Sequence, residues 1–312
     1  MESLLICLNA IVPIFFTIAV GYLAKRGGII RESEVPRINA ITFKVFMPVM
    51  CFYNVYHSDL SSSVRPKLFI FTFFAVLLVF GASLLYAVTC VSDRSRRSVV
   101  VQGLYRSNFL IVGVSFVTGL VGEDKLGATA VMGALIAPMY NVLAVILLES
   151  YNGERTNAKK LALDIAKNPL ILGSLAGLLL LVLGITLPSP LEIAVRDMSR
   201  VSNPLLLFLL GAFFHFGDAK EHWRELVAVT VGRLIVIPAV TISAGIALGF
   251  RGSDLATLIA IFAASTAVAS FTMAEQMGGD AKLAGNIVVV TSACAAVTLF
   301  GWSLLLKLTG LL

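Results

Sequence analysis

Charge is what this chain has least of. Lys, Arg, Asp and Glu together make up 13% of its 312 residues, against 58% apolar residues. A soluble domain needs charged faces that such a composition cannot supply. Histidine occurs only three times, and the four cysteines, Cys7, Cys51, Cys90 and Cys294, stand singly in or beside apolar stretches. With no Cys-x-x-Cys pair and no Cys/His group of zinc spacing, they read as small packing residues, and neither a metal nor a cofactor is expected. His-Glu-x-x-His, Gly-x-Ser-x-Gly and an intramembrane aspartate pair are also missing, which argues against an enzyme. The net charge of +6 is modest and sits in short loops such as Asp93-Arg94-Ser95-Arg96-Arg97, without interleaved aromatics. No nucleic-acid partner is expected. A basic leader is lacking too: Glu2 is the only early charge and no small-residue cleavage site precedes Lys25, so the first apolar stretch reads as a retained helix.

What the chain has in quantity is long apolar runs. A helix needs about 20 such residues to cross the bilayer core. Ten stretches qualify, near residues 4–24, 38–56, 68–91, 99–121, 126–150, 163–187, 199–216, 223–250, 254–277 and 282–308. The expectation is an all-α integral membrane protein of ten transmembrane helices, with the bilayer as its first partner. The seventh stretch is short and follows an amphipathic lead-in over 191–200. No soluble domain fits between the ten, which argues against a receptor or regulatory subunit. Basic residues concentrate in the odd loops: Lys25, Arg26, Arg31 and Arg37, then Arg94, Arg96 and Arg97, then Arg155, Lys159, Lys160 and Lys167, then Lys220 and Arg224. The positive-inside rule makes those loops cytoplasmic and puts both termini outside.

Shifted by 156 residues, half its length, the chain lays its punctuating residues on each other. Pro13 meets Pro169, Gly21 meets Gly177, Gly28-Ile29 meets Gly184-Ile185, Pro48 meets Pro204, and Gly122 and Asp124 meet Gly278 and Asp280. Five spans per half would invert the second half, so 1–156 and 157–312 read as inverted five-helix repeats of the kind secondary transporters use. Segments 4 and 9 stand apart. Arg106-Ser107-Asn108-Phe109 through Ser115-Phe116, and Ala263-Ala264-Ser265-Thr266-Ala267-Val268-Ala269-Ser270-Phe271, place small and hydroxyl residues at mid-membrane depth. Interrupted helices at matching places in two halves point to a transport site. Small residues also serve close helix packing, and only the matched pair tips the reading toward a site.

These residues resemble the auxin efflux carrier family, which includes the plant PIN carriers and bacterial transporters of malonate-like acids. Asn39 through Pro48 is similar to the family's Asn-(x)4-Lys-(x)3-Pro stretch. Asn108 stands seven residues before Ser115, as the family's asparagine stands before a helix-breaking proline. Ala267-Val268-Ala269-Ser270-Phe271 followed by Ala274-Glu275-Gln276-Met277-Gly278-Gly279-Asp280, Pro138-Met139-Tyr140-Asn141, and Asn168-Pro169-Leu170 are similar to bacterial members. The resemblance covers essentially the whole chain. It implies the fold of bile-acid/sodium symporters: a scaffold of helices 1, 2, 6 and 7 (about 4–56 and 163–216) facing a transport domain of helices 3–5 and 8–10 (about 66–150 and 223–308), with broken helices 4 and 9 crossing. It also implies a homodimer through the scaffold and a bacterial inner-membrane location. Two departures matter. Serine stands at 115 and 265 where proline is usual, and proline breaks a helix that serine only loosens. Thr72 is the nearest match to an acidic residue of the plant carriers.

An anion in a low-dielectric cavity must meet donors or positive potential. Half-helix N-termini supply the potential. The candidate donors are Asn108 first, then the backbone over Gly113, Val114 and Ser115 and over Ser265, Thr266 and Ala267, then Asn141, with the Ser270 hydroxyl. Lys44, Glu123 and Glu275 are candidates for charge coupling. Arg106 either draws anions inward or sits at the cytoplasmic boundary, and Arg233 reads as an interface residue. Asp124 and Asp280 read as helix N-caps. The function these features favour is a secondary carrier of small organic anions, such as mono- or dicarboxylates or auxin-like acids, working by elevator-type movement. The alternative is a cation/proton antiporter or sodium-coupled symporter on a related fold.

Overall fold

The structure, a computed structural model, describes residues 2–58, 65–122, 126–151, 158–215, 217 and 221–312. Its helices are α1 (Glu2–Arg26), α2 (Glu32–Tyr56), α3 (Pro66–Cys90), α4 (Arg94–Tyr105), α5 (Phe109–Val121), α6 (Gly127–Tyr151), α7 (Ala158–Lys167), α8 (Pro169–Leu183), α9 (Ser189–Phe213), α10 (Trp223–Ala247), α11 (Ser253–Ala263), α12 (Ala269–Gln276) and α13 (Ala281–Leu308). Six of them, α1, α2, α3, α6, α10 and α13, contain runs long and apolar enough to cross a membrane. The outer surface matches: Phe16, Leu78, Val182, Val240 and Val297 are 64–74% exposed. Contiguous apolar surface of that kind suits lipid, not water.

Local chemistry sets where helices start, bend and stop. Asp93 caps α4 by accepting from the Ser95 amide at 2.9 Å, and Asp280 caps α13 by accepting from the Leu283 amide at 2.9 Å; the reading of Asp280 as a cap stands. Asp124 lies outside the described residues. Proline has no amide to donate, and α2 and α10 each slip into a π turn just ahead of one: Thr42–Phe46 before Pro48, and Gly232–Val236 before Pro238. Two expected boundaries move. The sixth stretch divides at Asn168, whose side chain accepts from the Leu170 amide at 3.0 Å while Pro169 takes the first helical position. This separates the amphipathic α7 from α8. The seventh begins earlier, because no glycine or proline interrupts α9 between Pro190 and Pro204 and the helix runs through the lead-in.

The 156-residue offset recurs in packing. α1 lies along α9, and α2 along α8. At Gly21 a methyl group would overlap the Phe208 carbonyl, and at Gly177 one would overlap the Phe52 carbonyl. The second pair is the first with each residue moved by half the chain. Close approach of this kind is the use membrane helices make of glycine. Gly28 and Gly184 follow α1 and α8 in left-handed conformation, with φ of 74° and 63°, a helix ending that glycine adopts without strain. Elsewhere α11 is sheathed on all sides, and every residue from 255 to 263 is buried.

Candidate functional site

The fourth and ninth stretches are broken, and the breaks meet. α4 ends at Tyr105 and α5 starts at Phe109, while α11 ends at Ala263 and α12 starts at Ala269. Between them Ser107 and Thr266 form an antiparallel bridge, in which Asn108 N donates to Ser265 O at 2.8 Å and Ala267 N to Arg106 O at 3.1 Å. Unpaired backbone at that depth is costly, so each break supplies the other's partner. The Thr266 hydroxyl adds a bond to Gly103 O at 2.8 Å, and its amide donates to the Thr291 hydroxyl at 3.2 Å. No proline is needed because hydrogen bonds across the crossing replace those a helix would have made.

A cavity of about 80 Å³ opens beside the crossing, bounded also by α2, α6, α8 and α9. Arg106, Asn108, Tyr140, Asn141 and Asn203 give it polar walls, and Ala267 lies on its edge. The Asn108 amide nitrogen, the Ser107 hydroxyl and the Tyr140 hydroxyl are buried with no hydrogen-bond partner. Buried polar atoms are ordinarily satisfied, so three open groups around one cavity make it the candidate site. Phe109 and Ala269, the first residues of α5 and α12, line it too. It therefore lies at the N-termini of two half-helices, the ends that carry positive potential.

Arg106 is the strongest charge there and is 4% exposed. Its guanidinium donates to Gln102 Oε1 at 3.2 Å, Met273 Sδ at 2.7 Å and Asn141 Oδ1. All three partners are neutral, and no carboxylate among the described residues pairs with it. Of the two readings of Arg106, the boundary position gives way to the cavity. Asn141 completes the link by donating to Cys51 Sγ at 3.2 Å.

The remaining candidates scatter. Gly113, Val114 and Ser115 lie along α5 beyond the break. Gly113 admits the Ala260 carbonyl of α11, and Ser115 is exposed, with its hydroxyl turned back to Ile111 O at 2.7 Å. Ser265 and Ser270 are buried near the crossing with unpartnered hydroxyls but do not line the cavity. Lys44 is exposed on α2. Glu123 lies outside the described residues. Glu275, half-buried on α12, accepts from Asn39 of α2 and from Gln276, while Thr272 donates to Asn39 Oδ1 at 2.7 Å. Arg233 is not an interface residue: it is wholly buried behind the crossing. An arginine in an apolar run with no acid within a helical turn was the available signal for both arginines. A larger hollow of about 1120 Å³ between α3 and α10 is lined almost wholly by apolar side chains such as Ile70, Phe74, Leu78 and Val240. Of its few polar side chains, Lys67, Ser83 and Thr241 already donate to backbone carbonyls.

An all-α membrane protein whose broken helices meet over a polar cavity belongs by class to the transporters, not the enzymes. The chain belongs to the membrane transport protein family, that of the auxin efflux carriers, whose profile matches residues 6–303. It is similar to an uncharacterized transporter of Methanocaldococcus jannaschii, 22% identical over 96% of this chain and 100% of that one. It is also similar to an uncharacterized transporter of Methanothermobacter thermautotrophicus, 20% identical over 96% and 98%. A Rhizobium meliloti protein that bears the name "Putative malonate transporter" is 20% identical over 95% of each chain.

Proposed function

We propose that this protein is a secondary carrier of small organic anions, with the anion bound in the cavity between Arg106 and Asn108. The observation that carries this reading is Arg106 itself, a buried cation whose partners among the described residues are all neutral. Leaving a charge uncompensated in the membrane is costly, and a bound carboxylate would compensate it while accepting from the open Asn108 amide. Cavity size narrows the class. The space beside the crossing is small, about 80 Å³, and polar-walled. A short mono- or dicarboxylate fits better than an indole-sized acid, in keeping with the name of the Rhizobium meliloti relative.

The architecture we propose is two inverted five-helix repeats in the inner membrane, with both termini outside. α1, α2, α8 and α9 act as scaffold and homodimer surface, and the remaining helices as the moving body. The matched glycine contacts and matched left-handed glycines support the repeat. Movement of the crossing past α2 and α9, elevator fashion, would expose the cavity to each side in turn. Glu275, held by Asn39 of α2, spans the boundary between the two bodies and is the candidate for proton coupling.

The test is uptake of a radiolabelled panel of mono- and dicarboxylates, malonate included, into proteoliposomes under imposed proton, sodium and potential gradients. Saturable uptake lost in Arg106→Gln is expected. Binding of no carboxylate by the purified protein would overturn the reading.

A further inference from the structure

Behind the crossing, on the face away from the anion cavity, α4 and α11 end close together. The last carbonyls of a helix have no partner within it, and each C-terminus carries about half a negative elementary charge. Two such ends amount to about one negative charge in a fully buried place. One side chain answers both. Arg233 Nε donates to Ala264 O at 2.9 Å and Nη2 to Ile261 O at 2.9 Å, both at the end of α11. Nη1 donates to Leu104 O at 3.2 Å and Tyr105 O at 3.3 Å, both at the end of α4. Arg233 is 0% exposed, and its partners are four backbone carbonyls. The π turn Gly232–Val236 begins one residue before it, at a glycine whose added methyl would press on Leu104. The bend and the glycine together let α10 lie against the end of α4.

Four converging carbonyl oxygens in a buried space are also the chemistry of a site for a small monovalent cation, since oxygens are what hard cations take. We propose that Arg233 is a tethered cation. It fills a four-carbonyl site that a sodium ion or free guanidinium would otherwise occupy, and it neutralises the two helix ends whose breaks form the anion cavity. A carrier built this way needs no mobile metal cation at that place to assemble its crossing. Arg233 is thus a positioning residue, acting on the anion through Leu104, Tyr105 and Ala264. The inference rests on the carrier reading only for its consequence in transport; the cation site is tested without any substrate.

A local reporter exists, because the Trp302 indole donates to Leu234 O at 3.0 Å, next along the chain from Arg233. In a Trp223→Phe background, the thermal transition of purified protein is followed by Trp302 fluorescence. Arg233→Ala should melt well below the parent. Guanidinium chloride at low millimolar concentration, or sodium chloride, should raise its transition saturably and recover at least half of the loss. The parent should not respond to either, and Arg233→Lys should melt between the two. A purely structural arginine would show no saturable rescue, and that outcome overturns the proposal. Should Arg233→Ala fail to fold, the parent protein still decides. Equal transitions in sodium, potassium and N-methylglucamine chlorides at one ionic strength are expected, and a rise specific to sodium overturns the tethered cation. Neither outcome bears on whether carboxylates bind at Arg106.

Discussion

The Ser202 hydroxyl donates to the carbonyl of Phe46 at 2.8 Å, and the two residues are 156 positions apart. A residue touches its own counterpart in a duplicated chain only near the axis that relates the halves. In the proposed inverted repeat such an axis would pass between α2 and α9, beside Pro48 and Pro204, and the contact supports that proposal. Symmetry of this kind makes matched substitutions informative.

Gly21→Ala and Gly177→Ala should each destabilise the protein by about 1–3 kcal/mol, because each forces a methyl into a facing carbonyl. Gly81→Ala, where nothing lies within 4 Å of the added methyl, should be neutral or stabilising by about 0.5–1 kcal/mol. Thermal melts of the three variants in one detergent check this. Equal effects at all three positions would contradict close packing at the first two.

Arg106→Gln should weaken carboxylate binding by at least about 30-fold, the lower end of what losing one partner of a buried charge pair costs. Titration of malonate or its analogues against purified protein measures it. Unchanged affinity would remove the anion from this cavity.

Asn108→Ala should weaken binding by roughly 10- to 150-fold, as expected for a buried hydrogen bond to a charged group. Ser115→Ala should leave it unchanged, because the Ser115 hydroxyl is exposed and turned to its own helix. The same titration separates the two residues, and the reverse order would move the site along α5.

Glu275→Gln removes a charge from the join between α12 and α2 while keeping an oxygen to accept from Asn39. Uptake should lose its response to an imposed proton gradient, while exchange of labelled for unlabelled substrate persists. Retained proton dependence would place coupling elsewhere.

Asp93 caps α4 through Ser95, whose hydroxyl and amide, with Arg96 nearby, hold its carboxyl below the usual aspartate range. A lowered folded value means that the stabilisation is complete above the ordinary value of 3.8 and is lost as pH falls through the folded value. Asp93→Ala should cost about 1 kcal/mol at neutral pH. The stabilities of variant and parent should then converge in acid below the aspartate range, as melts across pH would show.

How much of this was legible beforehand depends on depth and partners. The helices were readable from apolar runs, because burial in lipid needs little beyond length. The meeting of segments 4 and 9 was readable from small and hydroxyl residues at matched places, and Asn108, Asn141 and Ala267 do share one cavity. Ser115 misled because it occupies the place of a missing proline. The break falls seven residues earlier at Asn108, where the other broken segment, Ser265–Ala267, supplies hydrogen bonds that a linear reading does not see. Arg106 and Arg233 were ambiguous for a related reason. For Arg106 the answer depends on where its helix stops, which is settled across the crossing, about 160 residues away in Ser265–Ala267, and for Arg233 it depends on the helix-end carbonyls of α4 and α11 that it meets.

The Ser107–Thr266 bridge also constrains how the chain can be made. When α4 and α5 leave the ribosome, the amide of Asn108 and the carbonyl of Arg106 have no mates, and those mates are synthesised only after α6 to α11. The first half must therefore wait, either with its break still helical or with water or a chaperone at the gap, until the second half arrives to close it. A half-length product would carry that open seam for good. Biogenesis of this protein is thus a single commitment, completed only when the last third of the chain has threaded the membrane.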